Sequence, residues 1–142
     1  MNSSKEDIST LILRVALGVV LLAHGLLKIM VFTIPGTVGY FESLGLPAVI
    51  AYLTIFGEVV GGVALILGLF TRLTAALSVP ILLGATWAHI GNGWLFSAEG
   101  GGWEFPLLLV VLAISVAIKG SGAFGLDRIP AIERLLLTRA AA

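Results

Sequence analysis

Four stretches of this chain stay apolar over about the length an α-helix needs to cross a bilayer, and no other feature constrains the fold as strongly. They cover residues 8–32, 48–70, 73–90 and 105–118, the last reaching span length when extended to 103–119. Hydrocarbon offers backbone N–H and C=O groups no partner, so stretches of this kind must satisfy them internally, as helices do. The expected architecture is all-α: a polytopic membrane protein, a four-transmembrane-helix bundle forming a single domain over residues 1–142. Composition excludes the alternatives. Hydrophobic residues make up 58% and charged residues 11%, against about 45–50% and 25% in soluble domains. Eight Lys/Arg and eight Asp/Glu cannot cover a soluble globule, and a formal net charge of zero gives no basic stripe for nucleic acid.

Topology follows from charge and parity. An even number of spans puts both termini on one side. Lys5, Arg14, Arg72, Lys119, Arg128, Arg134 and Arg139 fall at one end of the spans and Lys28 alone at the other, so the positive-inside rule makes both termini cytoplasmic. The polar start, Met1 to Asp7, precedes an apolar stretch too long for a removable signal peptide, which reads as a retained anchor. Between the first two spans, residues 35–44 read as a short helix lying along the outer surface. After the fourth, Ile129, Ile132, Leu135 and Leu136 interleave with Arg128, Glu133, Arg134 and Arg139, the pattern of a cytoplasmic amphipathic helix over 129–139.

Ionisable groups within hydrocarbon are costly unless paired or hydrated, which makes each a functional candidate. The set is Arg14, His24, Lys28, Glu58, His89 and Glu104. At 100° per residue, Arg14, Gly18, Leu21, Gly25 and Lys28 share a stripe on the first span, with His24 one turn from Lys28. Glu58 stands mid-way along the second span, with Gly57 and Gly61 as a small-xxx-small pair that makes it the natural partner of the first. At 1.5 Å per residue, Lys28, His24 and Glu58 lie roughly 6, 12 and 15 Å in from the outer ends. Five of the six groups are thus expected to converge in the outer half of the bundle. Arg14 is left lower down, to reach up to Glu58 or down to the headgroups.

Two readings of this cluster stay open: a polar pocket for a small ligand, and a set of structural ion pairs with histidines bonded to backbone carbonyls. Two histidines on different helices could ligate a b-type haem, a reading that ranks below both. No metal site is expected, since one histidine per helix is too few for closed zinc ligation unless Glu58 and Glu104 join. With no cysteine, the chain carries no thiol relay or cysteine-ligated cluster. Gly100, Gly101 and Gly102 do not follow a strand, which removes a phosphate cradle. Asp127 falls on the opposite side of the membrane from His24 and His89, which removes a Ser/His/Asp site. No broken helix or internal repeat suggests a carrier.

Several stretches together resemble the DoxX family of small four-helix membrane proteins. They are Arg14 ahead of Ala23-His24-Gly25-Leu26-Leu27-Lys28, Leu44-Gly45-Leu46-Pro47, and Gly57-Glu58-Val59-Val60-Gly61-Gly62 running to Leu67-Gly68-Leu69-Phe70-Thr71-Arg72. Gly102-Trp103-Glu104-Phe105-Pro106 and Gly120-Ser121-Gly122-Ala123-Phe124-Gly125-Leu126-Asp127 complete the set. The resemblance implies a bacterial inner-membrane component linked to redox chemistry, such as thiosulfate oxidation by quinone, an oxidative-stress complex, or catechol and quinone stress. It carries functional weight onto Arg14, His24, Lys28, Glu58 and Glu104, and it implies a quinone or a redox enzyme subunit as partner. The expected function is therefore an accessory of a quinone-linked redox or detoxification system. The alternative is a non-enzymatic scaffold that recruits a partner through the basic tail. Small-residue faces also suit contacts between copies in a homo-oligomer.

Overall fold

A computed structural model of the chain describes residues 2–130. Among these residues every regular element is helical: α1 (Asn2–Met30), α2 (Ile34–Ser43), α3 (Ala48–Leu67), α4 (Thr71–His89) and α5 (Glu104–Lys119), with short 3₁₀ turns at Ile90–Asn92 and Leu126–Arg128. Among the described residues, three segments are long and apolar enough to cross a membrane: Ser4–Met30, Ala48–Leu67 and Thr71–Asn92. With 16 residues, α5 is about 24 Å long, short of a hydrocarbon core of about 30 Å. Residues 131–142, which hold most of the expected amphipathic helix 129–139, lie outside the described part.

Helix ends depart from the hydropathy windows where local chemistry intervenes. The apolar window predicts α1 from residue 8, but the helix starts at Asn2, since residues 2–7 contain neither Gly nor Pro and simply continue it. α3 ends at Leu67 rather than residue 70, because Gly68 turns left-handed with φ 71°. α2 spans Ile34–Ser43, with Pro35 in its first turn and Thr33 Oγ1 accepting from the Gly36 amide at 3.3 Å.

The helices enclose a narrow core of Leu17 and Leu21 from α1, Leu65 from α3, Ala75 and Leu82 from α4, and Leu109, Ala113 and Val116 from α5. Large apolar side chains such as Leu73, Leu77 and Ile118 stay exposed, as lipid-facing residues do. α1 and α3 approach most closely, and glycine makes this possible. A Cβ on Gly62 would lie 2.6 Å from the Leu22 amide nitrogen and 2.8 Å from the Gly18 carbonyl oxygen, and one on Gly25 would lie 3.0 Å from the Val59 nitrogen. Gly57 and Gly61, expected to serve this contact, face α4 instead, against Ile81 and Thr74.

Backbone leaves Gly62 no room to relax, so Gly62→Leu should cost about 3 kcal/mol by overpacking. Gly84 has nothing within 4 Å of its Cβ position, so Gly84→Ala should gain about 0.5–1 kcal/mol. Reversible unfolding of both variants in detergent, followed by circular dichroism, checks this ordering.

Candidate functional site

At the α2 end of the bundle, the glycine contact sets the first pair of charges. One turn beyond Gly25, the Lys28 ammonium donates to both oxygens of Glu58, at 2.9 Å and 2.8 Å. The side chains are 18% and 7% exposed. α2 closes over this end, where Thr37, itself buried, donates its hydroxyl to the Lys28 carbonyl at 3.1 Å. A pair this well desolvated holds two charges that neither helix could bury alone.

The two histidines share one arrangement. His24 Nδ1 lies 2.8 Å from the Val20 carbonyl oxygen and His89 Nδ1 lies 2.7 Å from that of Ala85. A carbonyl only accepts, so Nδ1 carries the proton in each ring, and Nε2 keeps its lone pair in the neutral form. His24 sits at the bundle surface with its ring 6.3 Å from that of Phe105. His89 packs beside Gly101, whose Cβ position is 3.4 Å from the imidazole Cδ2. Glu104 opens α5, and its Oε1 accepts from the Phe96 amide at 2.9 Å. Among the described residues, no hydrogen bond joins either histidine or Glu104 to the Lys28–Glu58 pair, and no three metal-ligating side chains come together.

Arg14 does neither of the two things its sequence position suggested. It is 1% exposed and turns sideways to the end of α3, donating to the carbonyls of Leu65 at 2.6 Å and Ile66 at 2.9 Å, and to that of Ala123 at 3.3 Å. The last carbonyls of a helix lack intrahelical partners and carry its negative end, so a guanidinium satisfies both needs. Asp127 mirrors it on the next helix, accepting from the amides of Phe70 at 2.6 Å and Thr71 at 2.9 Å at the start of α4. Phe70 is left-handed, φ 47°, at a cost of about 1–2 kcal/mol. Two hydrogen bonds to a charged acceptor, about 1.5–3 kcal/mol each, outweigh that. Between the two charges sits Gly68, where a Cβ would strike the Gly125 Cα at 2.6 Å and Arg14 Nη1 at 2.7 Å.

Sequence reasoning counted Arg14 among the site residues and passed over Asp127. The signal for Asp127 was present: an acidic residue at the end of the spans where α4 must begin. Its loop closes the circuit through the Ala123 amide, which donates to the Asp7 carbonyl at 2.9 Å, and through the Arg128 guanidinium, forked onto the Asp7 carboxylate at 2.7 and 3.0 Å.

A model of the DoxX family matches residues 9–91. The chain belongs to the DoxX family. Over 127 residues it is 39% identical to the Bacillus subtilis protein named "Putative oxidoreductase CatD", covering 89% of this chain and 90% of that protein. Two Escherichia coli proteins named inner membrane proteins are also similar. YqjF is 31% identical over 87% of this chain and 93% of its own, and YphA 33% identical over 83% and 87%. No solved structure matches the chain. Arg14, His24, Lys28, Glu58 and His89 fall within the DoxX match, whereas Glu104 and Asp127 lie beyond it.

Breaking the buried pair on one side leaves an uncompensated charge. Lys28→Met should cost about 3–5 kcal/mol, and the double variant Lys28→Met/Glu58→Leu should recover most of the loss. Asp127→Ala removes the α4 cap and should cost about 1–2 kcal/mol. Unfolding titrations on the purified variants measure all three.

Proposed function

We propose that this DoxX-family membrane protein lies in a bacterial inner membrane, crosses it four times with both termini cytoplasmic, and serves a quinone-linked redox or oxidative-stress system as an accessory component. The observation that carries the reading is the Lys28–Glu58 pair, two desolvated charges held between α1 and α3 below α2. If the pair only joined two helices, apolar packing would replace it without loss of function as well as of stability. This one has His24 one turn away on α1, whose Nε2 lone pair is left as an acceptor by the Nδ1 contact to Val20. Reduction of a quinone to its hydroquinone consumes two electrons and two protons. In this reading His24 passes protons to the quinone, and the pair holds its fixed charges one turn away without a hydrogen bond to the imidazole. Both electrons come from a redox enzyme subunit associated with this chain, which has no cysteine of its own. The relative whose name contains oxidoreductase supports the redox assignment, and the two named inner membrane proteins support the location.

Concentration of Arg14, Arg72, Lys119 and Arg128 at the end bearing the α3–α4 turn supports cytoplasmic termini. A fluorescent protein fused after Ala142 should fold and emit, while alkaline phosphatase fused after Ala98 should be active; the reverse pattern overturns the topology. Glu58→Gln keeps the shape and removes the charge. Folded and inserted, it should lose binding of a short-chain ubiquinone and resistance to added quinone. Full retention of both overturns the quinone reading. Loss of resistance on deleting residues 129–142, with quinone binding intact, would favour the scaffold.

A further inference from the structure

A second site lies on the outside of the bundle, in a groove of about 430 Å³ between α5 and the loop that precedes it. Three aromatic rings, Trp94, Phe96 and Phe105, wall its upper part together with Glu104, and Leu107, Leu108 and Val111 continue it down α5. The groove is open along one side, since Trp94, Phe96, Phe105, Leu108 and Val111 are all exposed. From Glu104 to Val111 the groove follows α5 for roughly 10 Å, from the helix end into its apolar middle. An occupant matched to both ends has a polar head and an apolar tail.

Charge decides the head. Among the described residues the ion pairs are Lys28–Glu58 and Arg128–Asp7, so no cation lies within 4.0 Å of the Glu104 carboxylate. Its Oε1 holds the Phe96 amide, and among the described residues Oε2 has no hydrogen bond. A carboxylate in a groove lined by three aromatic residues attracts a cation by charge and repels an anionic head, and ring faces that meet the cation add to the attraction.

The wall is built in advance. Asn92 Nδ2 donates to the carbonyls of Gly100 at 3.1 Å and Gly101 at 2.8 Å, and the Trp103 and Glu104 amides donate to the Gly93 and Trp94 carbonyls, both at 3.1 Å. Trp94 packs edge-on against Trp103 with ring centres 4.5 Å apart. A loop already ordered loses little entropy when a ligand arrives. We infer that this groove binds an alkylammonium amphiphile drawn from the outer leaflet, with its ammonium between Glu104 and the aromatic walls and its chain along Leu108 and Val111. The inference takes the outer side from the proposed topology but not the quinone chemistry: no residue of the groove belongs to the Lys28–Glu58 pair, and Glu104→Gln leaves the Phe105 ring beside His24 in place.

The test uses the full chain in nonionic maltoside micelles, titrated with decyltrimethylammonium or with decanol, its uncharged counterpart, and followed by tryptophan fluorescence. The wild type should bind the cation at least about tenfold more tightly than the alcohol. Glu104→Gln keeps an acceptor for the Phe96 amide and should abolish the preference while leaving decanol binding in place. Should Glu104→Gln fail to fold, Phe105→Leu removes one π-face and should reduce the preference severalfold. Equal binding of cation and alcohol by the wild type overturns the inference, as does a preference that survives both substitutions.

Discussion

The close approach of α1 to α3 through Gly18, Gly25 and Gly62 is the contact on which the rest of the molecule depends. Side chains larger than hydrogen at these positions would collide with backbone atoms of the facing helix, so the helices meet at this distance or not at all. Once they meet, two charged residues on one stripe of α1 find their partners on α3: Lys28 finds the Glu58 carboxylate and Arg14 finds the terminal carbonyls. The apolar core supplies little direction here, because lipid solvates leucine as well as a neighbouring helix does. Geometry at the glycines and polar pairing at the two ends supply it instead.

The ends solve the problem of buried charge differently. At the α2 end, a cation and an anion neutralise each other directly. At the other end, Arg14 and Asp127 are each spent on a helix terminus, the guanidinium on the negative end of α3 and the carboxylate on the positive end of α4. Between them they hold a turn that contains two left-handed residues, Gly68 and Phe70. That tight turn in turn sets α4 beside α3 and leads the chain on to α5. A single loop, from Gly120 to Arg128, touches α1 and the α3–α4 turn, and beside it the Arg72 guanidinium of α4 reaches the Lys119 carbonyl at the end of α5 at 3.5 Å.

Most of the helices were legible from hydropathy because a bilayer demands length and apolarity and little else. The ion pair was legible in part. Lys28 and Glu58 are opposite charges expected in the outer half of adjacent spans, although their expected depths of roughly 6 and 15 Å did not by themselves put them at one level. Spacing and depth did not show which groups would meet. Arg14 lies on the same stripe as Lys28, yet the stripe runs the whole length of α1, and its lower end meets a helix terminus. His89 and Glu104 occupy the expected end, but both are engaged by the loop after α4 and not by the pair. The aromatic groove beside α5 was not legible at all, since it forms from Trp94, Phe96 and Phe105 only when a glycine-rich loop folds back on a helix.

The amino-acid sequence by itself determined that the chain is helical and belongs in a membrane, and which few residues hydrocarbon would not tolerate unpaired. Those conclusions rest on transfer free energies, which are properties of each residue and add along a chain. Only the tertiary structure decided which polar group meets which. Hydrogen bonds and ion pairs depend on distances of a few tenths of an ångström, and here those distances are set by glycine contacts, left-handed turns and a C-terminal loop that brings residues more than a hundred positions apart onto the first turns of α1.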